Sequence, residues 1–220
     1  MTACPEYVSL GALQLGGFKG EGLAGTPGRL YTNDFTGAGT GIITPAVGPY
    51  TDGLSLIRDL VPLCHTVRTV GVPAYPDHHA AIPDAALDEA LLAKQALIAE
   101  LGLQAFASTQ MCFNAKTIEQ WLTRQRACGM TIPVHLGVPG AVERARLLSL
   151  GTRLGIGSSL RYLRKNSGAI LRMFSPASYD PNKLIAPISR RADELNITGL
   201  HVFTFNSIES TASWQRKSLA

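Results

Sequence analysis

From Pro49 onward the chain alternates strand-length apolar runs with helix-length amphipathic stretches, and that alternation limits what it can fold into more than any other feature. Val67 to Tyr75 is a short apolar run closed by the turn signal Pro76-Asp77. Beyond it Leu87, Leu91, Leu92, Ala96 and Leu97 recur at helical spacing, with Asp84 as the expected cap and Gly102 as the expected stop. Ala105 to Gln110 returns to a two-residue period, with Phe106, Ser108 and Gln110 on one face and Ala107 and Thr109 on the other. Ile118, Trp121 and Leu122 then give a helix its buried face before Gly129, and Ile132 to Val138 is another apolar run, closed by Pro139-Gly140. Strand followed by helix, repeated, predicts an α/β fold with a parallel sheet and right-handed crossovers.

The flanks extend the pattern. Thr51 or Asp52 is placed to cap a helix with Leu54, Ile57, Leu60 and Val61 on its apolar side, ended by Pro62. Between Gly140 and Thr198 the connection is longer than one helix needs, and Val142–Leu154, Ser158–Leu171 and Asn182–Leu195 each carry helical spacing. Gly155-Ile156-Gly157-Ser158-Ser159 followed by Arg161, Arg164 and Lys165 could hold a phosphate or carboxylate at a helix N-terminus; a solvated helix face is the commoner use of such arginines. Leu200 to Asn206 alternates as a strand, with His201, Phe203 and Phe205 on one face, and Ser210 to Lys217 starts a closing helix packed by Trp214.

Residues 1–48 differ in texture. Ten of the 22 glycines fall between Gly11 and Gly41, where ordering costs the most chain entropy, and only Tyr7–Leu15 and Gly39–Thr44 read as short strands. The abrupt shift near Pro49 suggests a change of reading frame or a misplaced start upstream. The expected division is therefore a glycine-rich leader, 1–48, and an α/β region, 49–220.

A length of 220 residues suits one domain, and 45% hydrophobic with 16% charged residues suits a buried core. The net charge of +4 comes from scattered Lys and Arg, so no nucleic-acid surface is expected, although a polyanionic small molecule would find the field favourable. Cys4, Cys64, Cys112 and Cys128 have neither metal spacing nor the density of a disulfide scaffold and read as buried thiols of a reducing cytosol. With no leader signal and no apolar run of membrane length, a soluble cytoplasmic protein without a membrane partner is the expectation. His78 and His79 beside Asp77 point to opposite sides of an extended chain and lack a third ligand, so no metal is expected. His65, His135 and His201 read as hydrogen-bonded interior residues. No nucleophile with a base partner, Walker loop or Gly-x-Gly-x-x-Gly motif is present.

Gln110 ends a predicted parallel strand, where ligands meet inward side chains in strand-helix barrels, and its amide can read a heteroaromatic ring. A hydrogen bond to a neighbouring loop is the equally weighted alternative. Thr109-Gln110-Met111-Cys112-Phe113-Asn114 resembles the Thr-Gln-x-x-Phe-Asp/Asn segment of the methylenetetrahydrofolate reductase family. Ala74-Tyr75-Pro76-Asp77-His78-His79 resembles that family's Ala-Tyr-Pro-Glu-x-His, and Pro133–Pro139 and Gly199–Asn206 resemble two later strands, all in the family's order. The resemblance covers roughly Pro49 to Trp214. It implies a (β/α)8 TIM-barrel type of fold, incomplete here, with about the last four strand-helix units. It also implies reduction of 5,10-methylenetetrahydrofolate to 5-methyltetrahydrofolate with NAD(P)H as hydride donor and FAD as a bound relay.

By resemblance Gln110 binds the pterin and Phe113 lines its pocket, while Tyr50, Tyr75, His79 and Lys94 match cofactor-contacting positions. The family's Phe-Glu-Phe-Phe-Pro-Pro run, with its acidic proton donor, and its Gly-Asp strand end have no counterpart here, so no catalytic residue is assigned. That absence makes a catalytically inactive folate-binding remnant the rival expectation. Half a barrel would also expose sheet edges and apolar inner faces, so such a chain is expected to dimerise, borrow a partner half or aggregate, and a half-barrel homodimer with altered chemistry is a further alternative.

Overall fold

Val70, Val72 and Ala74, then Ala107, then Val134, Leu136 and Val138 occupy alternate positions of three successive strands, and all lie in one buried core with Ile57, Ile98, Ile118, Leu122 and Ile188 from helices. A strand shows successive side chains to opposite faces, so this core lies on one side of the sheet. The computed structural model describes residues 7–9, 29–31, 52–60, 62, 67–79, 82–143 and 179–219. Its elements run β1 Tyr7–Ser9, β2 Arg29–Tyr31, α1 Gly53–Leu60, β3 Thr69–Ala74, α2 Asp84–Glu100, β4 Gln104–Thr109, α3 Ala115–Ala127, β5 Val134–Pro139, α4 Asn182–Ser189, β6 Ile197–Phe203 and α5 Ile208–Leu219.

All pairings are parallel and the six strands lie in sequence order. Consecutive parallel strands with crossovers of one hand place their helices on one face, as the shared core shows. The expected parallel α/β arrangement is thus present. Two three-residue strands from the leader join the four expected ones; Tyr7–Ser9 lies inside a predicted strand, Arg29–Tyr31 was not anticipated, and Gly39–Thr44 lies outside the described residues.

The helices explain their own limits. Asp52 caps α1, its carboxylate accepting the Ser55 backbone N–H at 2.8 Å. Asn114 caps α3 by accepting the Lys116 N–H at 3.1 Å, and Gly129, at φ 98°, turns the chain after it. The buried side of α3 is Ile118, Trp121, Leu122 and Gln125. Each large apolar side chain in that row contributes roughly 1.5–3 kcal/mol relative to exposure.

Five expectations need correction. Asp84 is the first residue of α2 rather than its cap; Pro83 holds the cap position, and the Asp84 carboxylate meets His78 Nδ1 at 2.6 Å. The α2 stripe buries Leu91, Lys94 and Ile98, while Ala96 is exposed. The helix predicted over Asn182–Leu195 stops at Ser189 and continues as turns, because Pro187 removes one ladder donor and Asn196, at φ 51°, reverses the chain into β6. Strand β6 starts at Ile197 and ends at Phe203, since Phe205 and Asn206 have φ of 48° and 63° and cannot extend it. Of the cysteines, Cys112 is buried but Cys128 is exposed just after α3.

Candidate ligand site at the carboxyl ends of the strands

The last β3–β4 pair is Ala74 with Thr109, and the Gln110 N–H still donates to the Ala74 carbonyl at 2.7 Å. One rung beyond the strands, Gln110 and Tyr75 therefore sit side by side at their carboxyl ends. Tyr75 is half-buried and packs edge-on against His79, ring centroids 5.2 Å apart. His78, held at φ 64°, turns away to Asp84, so the two histidines do diverge, although the local chain is not extended.

The segment after Gln110 is a built turn. Gln110 Oε1 accepts the Met111 backbone N–H at 2.8 Å, Met111, Cys112 and Phe113 are buried, and Asn114 caps α3. Phe113 meets Tyr179 edge-on at 5.6 Å, and the Tyr179 N–H donates to Val142 O at 2.8 Å. The motif thus supplies a strand end, an amide, an apolar plug and a helix cap in six residues. An asparagine opening a helical pattern is an N-cap signal in its own right, and sequence reasoning passed over it at Asn114.

Across the face of the sheet opposite the helices run Phe106, His135, His201 and Phe203. The Phe106 and His135 rings lie 4.3 Å apart, and His201 meets Phe203 edge-on at 4.8 Å. Gly199 pairs with His135, and a Cβ there would stand 3.1 Å from the imidazole Cδ2, so glycine makes room for that ring. Phe205, turned back by its positive φ, stacks on Phe203 at 6.1 Å and 21°. No family model matches the chain. What the site can do therefore rests on its own geometry and on the motif resemblance. No group of three or more His, Cys, Asp or Glu poised to hold a metal occurs among the described residues, and no helix among them is long and apolar enough to cross a membrane.

The residues assigned to a cofactor do not gather in the same way. Tyr75 follows Ala74 in register beside Gln110 and carries His79 against its ring, but Lys94 is 1% exposed on the core side of α2. Its charge helps hold the Asp52 carboxyl below the ordinary range, behind the larger effect of the Ser55 N–H hydrogen bond. Lys94 is thus enclosed in the interior rather than open at the surface. Tyr50, His65 and the Gly155–Lys165 segment lie outside the described residues.

Burial holds the His201 pKa below its ordinary value, with the neighbouring His135 adding to the shift. The unfolded chain then takes up a proton more readily than the folded one, so stability is fully present above about pH 6.5 and declines as pH falls towards the folded value. Urea titrations at pH 7.5 and 5.5 should show the loss, and His201→Asn should flatten it; an unchanged pH slope in that variant would assign the effect elsewhere.

Proposed function

We propose that the chain is an oxidoreductase of one-carbon metabolism similar to methylenetetrahydrofolate reductase, built on part of a (β/α)8 barrel, and that Gln110 is its contact to the pterin of a reduced folate. The observation that carries this reading is the meeting of Gln110 and Tyr75 at the carboxyl ends of neighbouring parallel strands, where strand-helix barrels hold their ligands. Phe113, buried three residues further on and packed on Tyr179, is the proposed apolar lining of the pocket. In this reading NAD(P)H supplies the hydride that converts 5,10-methylenetetrahydrofolate to 5-methyltetrahydrofolate, and the protein positions the pterin. FAD would be the bound relay that the resemblance implies, with Tyr75 and His79, packed edge to face, as its candidate contacts. A cytoplasmic setting suits a nicotinamide donor, and a second copy of the chain would cover the exposed Leu200 and Ile208 beside β6.

The missing Phe-Glu-Phe-Phe-Pro-Pro and Gly-Asp runs favour a second reading, a remnant that binds folate without turnover. Titration of 5-methyltetrahydrofolate by tryptophan fluorescence tests what both share. Gln110→Ala is expected to weaken binding by about 1–3 kcal/mol, the cost of leaving polar partners unmet; equal affinity in the variant would remove Gln110 from the site. Folate-dependent NAD(P)H oxidation separates the two readings, present for the enzyme and absent for the remnant.

A further inference from the structure

Resting on that folate reading, we infer that Gln110 acts on its ligand as a hydrogen-bond donor alone and so selects a ring carbonyl over a ring amine. The amide's two ends look alike in shape, but here their identity is fixed. The atom 2.8 Å from the Met111 backbone nitrogen must be an acceptor, because a backbone N–H only donates; that atom is Oε1. Met111 is 0% exposed, so water cannot replace this acceptor, and swinging the amide away would strand a buried donor. The oxygen is therefore committed to the protein. The NH2 end remains, and among the described residues no acceptor meets it.

A pterin offers a carbonyl oxygen at ring position 4, which accepts from that NH2. Its 4-amino analogue carries an amine at the same point, and donor then faces donor. Folic acid and aminopterin differ at that position and serve as the probes, at pH 7, where both rings are mainly neutral. Folic acid should bind about tenfold more tightly or better, the ratio expected when a polar pair is left unmet. Gln110→Glu keeps an oxygen for the Met111 N–H and replaces the donor with an acceptor, so the preference should reverse.

Equal binding of the two probes, or a preference that Gln110→Glu leaves untouched, overturns the donor-only assignment while folate binding stands. Binding of neither probe, nor of 5-methyltetrahydrofolate, removes the folate reading and this inference with it. If the glutamate variant does not fold, Gln110→Met takes its place: it lacks both donor and acceptor and must erase the preference, and a preference that survives it overturns the assignment.

Discussion

Gly137→Ala should destabilise the protein by more than about 4 kcal/mol, beyond the usual range for a single methyl group. A Cβ at Gly137 would stand 2.0 Å from the Thr109 carbonyl oxygen, 3.0 Å from the Thr109 carbonyl carbon and 3.1 Å from that of Gln110. All three are backbone atoms, so no rotamer change relieves the clash, and β4 and β5 must separate. The approach is this close because the Gly137 N–H donates to Thr109 Oγ1 at 2.7 Å, extending the β4–β5 contact past its last paired residue, Ser108. Separation would displace Thr109 and with it Gln110, so ligand affinity should fall in any fraction that folds. Urea denaturation monitored by far-UV circular dichroism measures the first effect; an alanine tolerated within about 1 kcal/mol, the scale of an ordinary substitution, would contradict the strand approach.

Arg126→Met is the second large effect, at about 3–5 kcal/mol. The Arg126 guanidinium donates through Nη1 to the carbonyls of Met130 at 2.9 Å and Ile132 at 2.8 Å, through Nε and Nη2 to Leu195 at 3.2 and 2.8 Å, and through Nη2 to Asn196 at 3.5 Å. Burial holds its pKa below the ordinary arginine value, but a guanidinium stays protonated in a protein. Those bonds tie the end of α3 and the approach to β5 to the turn that launches β6. Methionine keeps the apolar stem and removes this donor from the Met130, Ile132 and Leu195 carbonyls, while Asn196 O retains the Val134 N–H. Arg126→Lys should recover only part of the loss, since a single ammonium cannot span a planar fork of acceptors. Equal midpoints for the methionine and lysine variants in guanidinium titration would show that packing of the stem, rather than the fork, carries the effect.

The parts of the fold that the sequence made legible are those governed by period. Ile118, Trp121 and Leu122 show helical spacing and are buried on α3; Ala107, Val134, Leu136 and Val138 show strand alternation and are buried against the helices. Misreadings arose where one residue overrode the period. Lys94 occupies a core position that a hydrophobic stripe cannot reveal, because its charge is accommodated by tertiary surroundings that include Asp52. Pro187 and the left-handed Asn196 ended a helix whose apolar spacing continues to Leu195. At the site, the position of Gln110 followed from its place at a strand end, but the engagement of its oxygen by Met111 did not, since a side chain closing onto the next backbone amide leaves no mark in composition.

Because each strand lies beside the next in the chain, the sheet is a stack in which every pairing closes its own loop. Thr69 and Gln104, opposite each other in β3 and β4, are 35 residues apart, whereas Val134 meets Ile197 across a much longer intervening segment. Closure entropy rises with the logarithm of loop length, so the difference between these steps is a fraction of a kcal/mol and delays β6 only slightly. The greater asymmetry is in disassembly: β6 can peel from β5 without breaking any rung between β3, β4 and β5, so the end bearing Phe203 can open while the end bearing Gln110 and Tyr75 stays zipped.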